Sequence, residues 1–593
     1  MSKRKKVPPK KVQKIIKENP VYNYILLALF AVFIVLLTTF KISGDDDVFW
    51  HLATGRYIIE TGTVPSTDVF GFITEGQEWM PFEWGWDVIT FFIFKAAGYT
   101  GLSIFRTLIF LIIFFLYFLI LRKFKVSYTI STLILTLLAF GIIDRLTPRP
   151  HIISMLFFVL LLYVIIDYRY FNRENYKKLF FIPVIFLLWA NLHMGILAGM
   201  LLFGIYIFSE VIIFYKPQKF SSKEIIPLTK PELVRILIIF FASVLVMFIN
   251  PNSFDTYLYA YAHTKMKLLE TINEWRSPFD EMFSGGFVST IYKIFLFGGV
   301  LILYYAIKKK DLFVAILFVG FVFYSVRAVR FTVDYIIICS VFLIISISFI
   351  VNNIKNESIK NFINVNPFPK VLISAVLLFF IFNLPNNSLY LEHLKYYRIT
   401  GFGINSDFIP TQMYDFMREN RITEIGERPF NHFGTGGSLV WNFPASKNFI
   451  DSRNLNDEIF SEYNSIISMK PGFEKKLDEH NIDYAFYLAP DLVRMPSEME
   501  QTIISYFSKN EDWKLVFWDD KSFLFVRNLP KFYDIIDKYE YRYATPYNFI
   551  YNKKILEEAN VADKERLTSE VNRKAAEEPN GFIINSIKQV YGK

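Results

Sequence analysis

Long apolar runs alternate along the chain with short polar breaks. The runs are about 17 to 24 residues long, which is what a helix needs to cross a hydrocarbon core of about 30 Å. Read in order, they predict crossings at about 21–41, 102–121, 126–143, 150–167, 178–190, 194–215, 232–250, 287–307, 311–326, 331–351 and 369–385. The expected fold class is therefore an α-helical polytopic membrane protein with about 11 transmembrane helices. One apolar stretch, Trp84 to Ala97, is short and ends at the break GYTG. Counting it as a crossing would put the basic segment LRKFK (Leu121 to Lys125) outside, so the charge pattern favours an interfacial helix there.

Charge sets the expected orientation. The tail 1–20 carries eight Lys or Arg against one Glu and is expected in the cytoplasm. With that start, DYRYFNRENYKK, YKPQKFSSKE, Lys308 to Lys310 and NNIKNESIK also fall inside, while the acidic first loop, 43–100, falls outside. The transmembrane region is taken as 21–385. From 386 to 530 the composition is that of a soluble α/β domain, with strand-like segments GGSLVWNF, KNFIDSR, IDYAFYL and WKLVFWDDKSFLFVRN. An odd number of crossings puts that domain outside the cytoplasm. Residues 531–593 read as a charged, helical tail.

Composition adds exclusions. The chain is 53% hydrophobic and only 20% charged, too apolar for an ordinary soluble surface, so membrane lipids are its surroundings. Its net charge of +9 sits in the short topology-setting breaks, which speaks against a nucleic-acid partner. The lone Cys339 allows no internal disulfide. The sequence contains no GxGxxG, P-loop, zinc-spaced Cys/His set or nucleophile elbow.

The predicted topology gathers polar residues at the outer face: Asp45, Asp47, His51, Glu83, Arg145, Arg149, His151, Asn191, His193, Glu274, Arg276, Arg327 and Arg330. Ionisable groups at span ends are costly unless they reach water or one another, which suggests a shared hydrated cavity; interfacial anchoring is the plainer alternative. In DDDVFWH, Asp45 and Asp47 can approach one hydroxyl or one cation, and His51 lies one helical turn beyond Asp47. The same aspartates would also serve as a helix cap. Arg149 and His151 in TPRPH are placed to donate to a phosphate, as are Arg327 and Arg330 if their three-residue spacing is helical. Asn191 and His193 in WANLHMG mark a break between two apolar runs, where a helix end can line a cavity or simply bond across helices. Glu274 and Arg276 in INEWRSP lie in a long outer loop and can equally pair with each other.

These motifs resemble those of GT-C membrane glycosyltransferases, with their mannosyltransferase/ArnT-like fold. The likeness is to bacterial sugar transferases whose first outer loop reads D-x-D-x-W-W-H-L-A-T-G-R. The matching residues are DDDVFWHLATGRYIIETGTVPSTDVFGF, Trp79, and Glu83 with Trp84. TPRPH, WANLHMG, NPNSFDTY, INEWRSP, the Arg327–Arg330 segment, GTGGSLVWNF and FIDSR continue it to about residue 490. Phe49 departs from the usual Trp.

The resemblance implies sugar transfer from a polyprenyl-phosphate donor to a glycan, lipid or protein acceptor outside the cytoplasm, at a bacterial inner membrane. It places the catalytic base on Asp47 or Asp45, with His51 and Glu83 in the same group. With such a donor, the chemistry of the residues themselves places Arg149, His151, Arg327 and Arg330 on its phosphate as an expectation, and Asn191, His193, Glu274 and Arg276 on substrate. No cofactor is named by the sequence; if a divalent cation such as Mg2+ or Mn2+ takes part, Asp45, Asp47 and His51 are its expected ligands. A transporter or flippase of lipid-linked saccharides and a non-catalytic envelope-assembly protein remain the competing readings.

Overall fold

The structure is a computed structural model that describes residues 20–43, 46–222, 224–283, 285–453, 456–488 and 497–591. The basic tail up to residue 19 and Asp45 lie outside the described residues. The membrane region contains helices α1 (Pro20–Thr38), α3 (Trp84–Lys123), α4 (Tyr128–Gly141), α5 (His151–Ile166), α6 (Phe181–Trp189), α7 (Ile196–Tyr215) and α8 (Lys230–Val246). It continues with α10 (Phe287–Gly298), α11 (Val300–Lys309), α12 (Leu312–Ser325), α13 (Val329–Asn352) and α14 (Pro367–Asn383). Two further helices lie in the loops between them, α2 (Asp46–Thr61) and α9 (Asp255–His263).

Among the described residues, seven helices are long and apolar enough to cross a membrane, and this is a multi-pass membrane protein. The segments expected at 126–143 and 311–326 form the shorter apolar helices α4 and α12. The one expected at 178–190 is the nine-residue α6, entered through a 3-10 turn. The one expected at 232–250 is α8, whose first turns hold Lys230, Glu232 and Arg235. In α1 the buried face is Leu26, Phe30, Phe33, Ile34 and Leu37, at helical spacing, whereas Tyr24, Ile25 and Val32 are exposed. Lipid-facing apolar residues of this kind are the normal outer surface of a spanning bundle.

The ambiguous stretch at Trp84 is the first part of α3. Gly98 breaks that helix with φ 59° and ψ −154°, a conformation that only glycine adopts readily. Before the break, Trp84 Nε1 donates to Asn191 Oδ1 (2.9 Å) at the α6–α7 turn. Just after it, the Tyr99 hydroxyl accepts from Trp441 Nε1 (2.9 Å) of the C-terminal domain. Both ends of the stretch therefore lie at one end of the bundle, and the descent through it begins after Gly98.

The C-terminal domain is built on a four-stranded sheet in the order β1-β2-β4-β3, with β1 (Pro429–Asn431), β2 (Tyr484–Leu488), β3 (Trp513–Trp518) and β4 (Ser522–Arg527). β1 runs parallel to β2, and the other pairs are antiparallel. The alternation of side chains gives the sheet two buried faces. Ala485, Tyr487, Phe523 and Phe525 pack with Leu556, Leu567, Val571 and Ile587, so the tail helices share this core. Tyr484, Phe486, Leu524 and Val526 pack with Met413, Met417, Leu439 and, from the first loop, Phe49. GGSLVWNF, expected as a strand, is mainly helical (Gly436–Asn442), and KNFIDSR forms no strand beyond an isolated bridge between Gly71 and Asn448.

The first loop and this domain are tied together by buried charge. Arg453 donates to Asp68 (2.7 Å) and Asp451 (2.6 Å), all three nearly free of solvent, and lies over the Trp79 ring. Arg56 donates to the carbonyls of Val440 and Trp441. A buried cation with two carboxylates and aromatic faces is fully satisfied and fixes the relative placement of its neighbours.

Candidate functional site

A cavity of about 880 Å³ opens at this end of the bundle, between the membrane helices, the first loop and the C-terminal domain. Asp47, His51, Glu83, Arg145, Arg149, His151, His193, Glu274 and Arg330 all line it. Asn191, Arg276 and Arg327 do not. The Asn191 side chain is used up on Trp84 and on the carbonyls of Leu187 and Ile249. Arg276 faces Asp280 at 3.9 Å. Arg327 is exposed in the turn before α13, and extended backbone at Ala328 (φ −152°, ψ 145°) removes the helical spacing that would have set it beside Arg330.

Asp47 sits in the first turns of α2, held on both carboxylate oxygens. Oδ2 pairs with Arg149, and Oδ1 accepts from Trp50 Nε1 (3.1 Å) and from the hydroxyl of Ser452, which comes from the C-terminal domain. His51, one turn on, points elsewhere: its Nδ1 is 2.6 Å from Asp87 Oδ1 in α3. Asp47 and His51 thus do not converge on a cation, and among the described residues no group of three or more His, Cys, Asp or Glu is arranged to hold one. Asp45, the third expected ligand, lies outside the described residues.

Glu83 has a different environment. Its carboxylate makes no hydrogen bond among the described residues, and its nearest charged neighbours are His193 Nε2 at 3.6 Å and His51 Nε2 at 3.9 Å. Burial pushes its pKa up to about 8, against the opposing pull of Arg330. Burial likewise lowers His193 to about 3 and His51 well below the usual imidazole range, so both rings are neutral at rest.

The tautomer of His193 follows from its bonds. Nδ1 accepts from the Gly195 N–H (3.0 Å) and lies 2.6 Å from the Ser154 hydroxyl, which itself accepts from Trp189 Nε1. The ring proton is therefore on Nε2, facing Glu83. A side chain at Gly195 would strike Ser154 and His193, which explains the glycine of WANLHMG.

The basic groups gather on the neighbouring wall. Arg145 pairs with Glu274 at 2.7 Å. Burial alone would raise Glu274, but Arg145, Arg149 and Arg330 bring it below its ordinary value. His151 Nε2 donates to the Arg145 carbonyl (2.8 Å), so a neutral ring has only an acceptor left; the expected donation to a phosphate is already used within the protein. Arg330 forms no ion pair among the described residues and stacks on Trp275 at 4.4 Å. The third wall is apolar: Leu197, Ala198 and Leu201 of α7 face Tyr257, Ala260 and Tyr261 of α9. Leu197, Leu201 and Tyr261 are also exposed on the outside of the bundle, so this wall continues into the lipid-facing surface.

Several residues here escape a reading of the sequence. Asp87 and Asp334 sit inside apolar runs, and Ser452 and Arg453 need the tertiary fold to bring them in. Asp334 accepts from the Tyr324 hydroxyl (2.9 Å) near Arg330.

No protein-family model and no curated protein matches the chain. Solved structures do. Archaeal oligosaccharyltransferase AglB from Archaeoglobus fulgidus, in complex with an inhibitory peptide and a dolichol-phosphate, is 12% identical with a TM-score of 0.53, covering 96% of this chain and 84% of its own. The A. fulgidus oligosaccharyltransferase tethered to an acceptor peptide is 11% identical with a TM-score of 0.51, covering 86% of this chain and 74% of its own. At such identities the likeness concerns architecture, and the chain has a GT-C-like membrane fold with a small C-terminal sheet domain.

Proposed function

We propose that this chain is a membrane glycosyltransferase that moves a sugar from a polyprenyl-phosphate carrier to an acceptor hydroxyl outside the cytoplasm. The observation that carries this reading is the make-up of one cavity: Arg330 without an ion pair and Glu83 without a hydrogen bond among the described residues, beside an apolar wall open to the lipid. A lipid-phosphate sugar has the matching parts. The dolichol-phosphate in the structure of the A. fulgidus enzyme supports the same donor class.

In the transfer the acceptor oxygen forms a bond to the anomeric carbon as its proton goes to a first-loop carboxylate. The bond from that carbon to the phosphate oxygen breaks, its electron pair leaving with the phosphate. Arg149 and Arg330, with Arg145, stabilise the charge that collects there. A phosphate leaves without a proton, so one base suffices, and a single displacement inverts the anomeric centre.

The two first-loop carboxylates divide the work. The family resemblance points to Asp47 or Asp45 as the base; Asp45 lies outside the described residues, and the ion pair of Asp47 with Arg149 and its two hydrogen bonds suit Asp47 to orienting Arg149 and the acceptor. Glu83, unbonded and with a pKa near the operating pH, is the better proton acceptor.

The test is an assay of the full chain in lipid nanodiscs, offered decaprenyl-phosphate-linked glucose, mannose, galactose and arabinose. Release of decaprenyl phosphate from at least one donor, abolished in Glu83→Gln, is expected. Absence of release from all four would count against the reading.

A further inference from the structure

Asp87 is a fully buried carboxylate outside the transfer step, and among the described residues its Oδ2 has no hydrogen-bond partner. Burying a carboxylate is costly unless a partner compensates it. Among the described residues its side-chain hydrogen-bond partner is His51, at 2.6 Å. His51 in turn presents its other nitrogen, Nε2, toward Glu83. The order carboxylate, imidazole, working group is the one in which a buried acid fixes a histidine's tautomer and orientation.

We propose that Asp87 is a positioning residue: by accepting the Nδ1 proton of His51 it leaves Nε2 as a hydrogen-bond acceptor facing Glu83, so that His51 holds the Glu83 carboxyl once it has taken the proton of the acceptor hydroxyl. This rests on the transferase reading above. Glu83 lies between two histidines with opposite roles. His193, fixed by Gly195 and Ser154, offers a proton from Nε2 and orients one Glu83 oxygen. His51, fixed by Asp87, accepts at the other.

The protons balance. The hydroxyl proton passes to Glu83 as the sugar is transferred, and the protonated carboxyl donates to the neutral His51 Nε2. Glu83 then loses its proton to water after product leaves. The separations of 3.6 and 3.9 Å are longer than hydrogen bonds, and catalytic contacts of this kind tighten when substrate binds. The groups facing Glu83 are His51 from α2, Asp87 from α3, His193 from the α6–α7 turn and Arg330 from α13.

The experiment needs no knowledge of the sugar. In the purified full chain, the infrared band of the protonated Glu83 carboxyl, identified by its loss in Glu83→Gln, is titrated with pH. A midpoint near 8 is expected. In Asp87→Asn the side-chain amide can donate to His51 Nδ1, which turns the ring proton onto Nε2 to stabilise the Glu83 carboxylate, so that midpoint should fall by about one pH unit. An unmoved midpoint would overturn the proposal.

Should Asp87→Asn fail to fold, ¹⁵N-histidine NMR of the unmutated Asp87 protein decides, with His51 assigned by His51→Gln. Protonation at Nδ1 is expected, and protonation at Nε2 would overturn the proposal. With any donor that reacts, Asp87→Asn should lower kcat at least about tenfold with KM held. If no donor reacts, the transferase reading fails while titration and tautomer still decide the role of Asp87. If Glu83→Gln abolishes transfer and Asp87→Asn matches the parent in kcat, midpoint and tautomer, this inference falls alone.

Discussion

The two ends of the membrane bundle treat charge in opposite ways. At the end away from the cavity, Arg169 lies between Glu210 and Asp311, and Tyr170 also donates to Asp311. Asp167 is held by Lys123, Lys178 and Asn172. Arg173 meets Glu232, and Lys309 meets Glu224. Charge there is matched pair by pair and joins one helix to the next. At the cavity end the matching is incomplete: among the described residues Arg330 forms no ion pair and stacks on Trp275, and the Glu83 carboxylate makes no hydrogen bond, with two imidazoles its nearest partners. Both ends cost desolvation, but only the incomplete one leaves groups available to a ligand.

Substitutions at the two ends should separate these roles. The largest effect is expected for Glu83→Gln, a loss of about 10²–10⁴-fold in sugar transfer, read as carrier phosphate released per folded molecule. The pH profile goes with it. The ionised carboxylate is the base and its pKa is raised to about 8, so kcat/KM should climb as pH rises through that value and fall below it. A profile flat from pH 6 to pH 9 would remove Glu83 from the proton transfer.

Next comes Arg330→Ala, expected to cost about 10²-fold in transfer with little change in thermal unfolding. Arg169→Ala at the other end should do the reverse, destabilising the bundle by about 3–5 kcal/mol because Glu210 and Asp311 are left buried without their cation. Equal effects of the two substitutions on unfolding would erase the contrast. Ser452→Ala should be milder, roughly a fivefold loss from one missing hydrogen bond of about 1 kcal/mol to Asp47. Arg327→Ala should change transfer and stability least, within about 0.5 kcal/mol, since that side chain is exposed and away from the cavity.

Charge patterning carried much of this architecture in the sequence. Demoting Trp84 to Ala97 from a crossing is what brings Asp47, Glu83, Arg149, His193 and Arg330 to one end, and Gly98 is the residue that makes the turn. Local rules failed where tertiary context decides. The spacing of Arg327 and Arg330 matters only inside a helix, and the helix starts between them. Asp87 reads as one polar residue in an apolar stretch, because nothing local announces the histidine of another helix beside it. GGSLVWNF has strand-like composition, but its residues pack as a short helix against the first loop, with Leu439 in the core that holds Phe49.

The central claim is that the incompletely matched end is where a lipid phosphate binds. A density map of the full chain in nanodiscs with decaprenyl phosphate tests it most directly. The account predicts the phosphate within hydrogen-bond reach of Arg149 and Arg330, with the chain running out between α7 and α9. A head group bound instead beside Arg169 and Lys178, at the other end of the bundle, would contradict it.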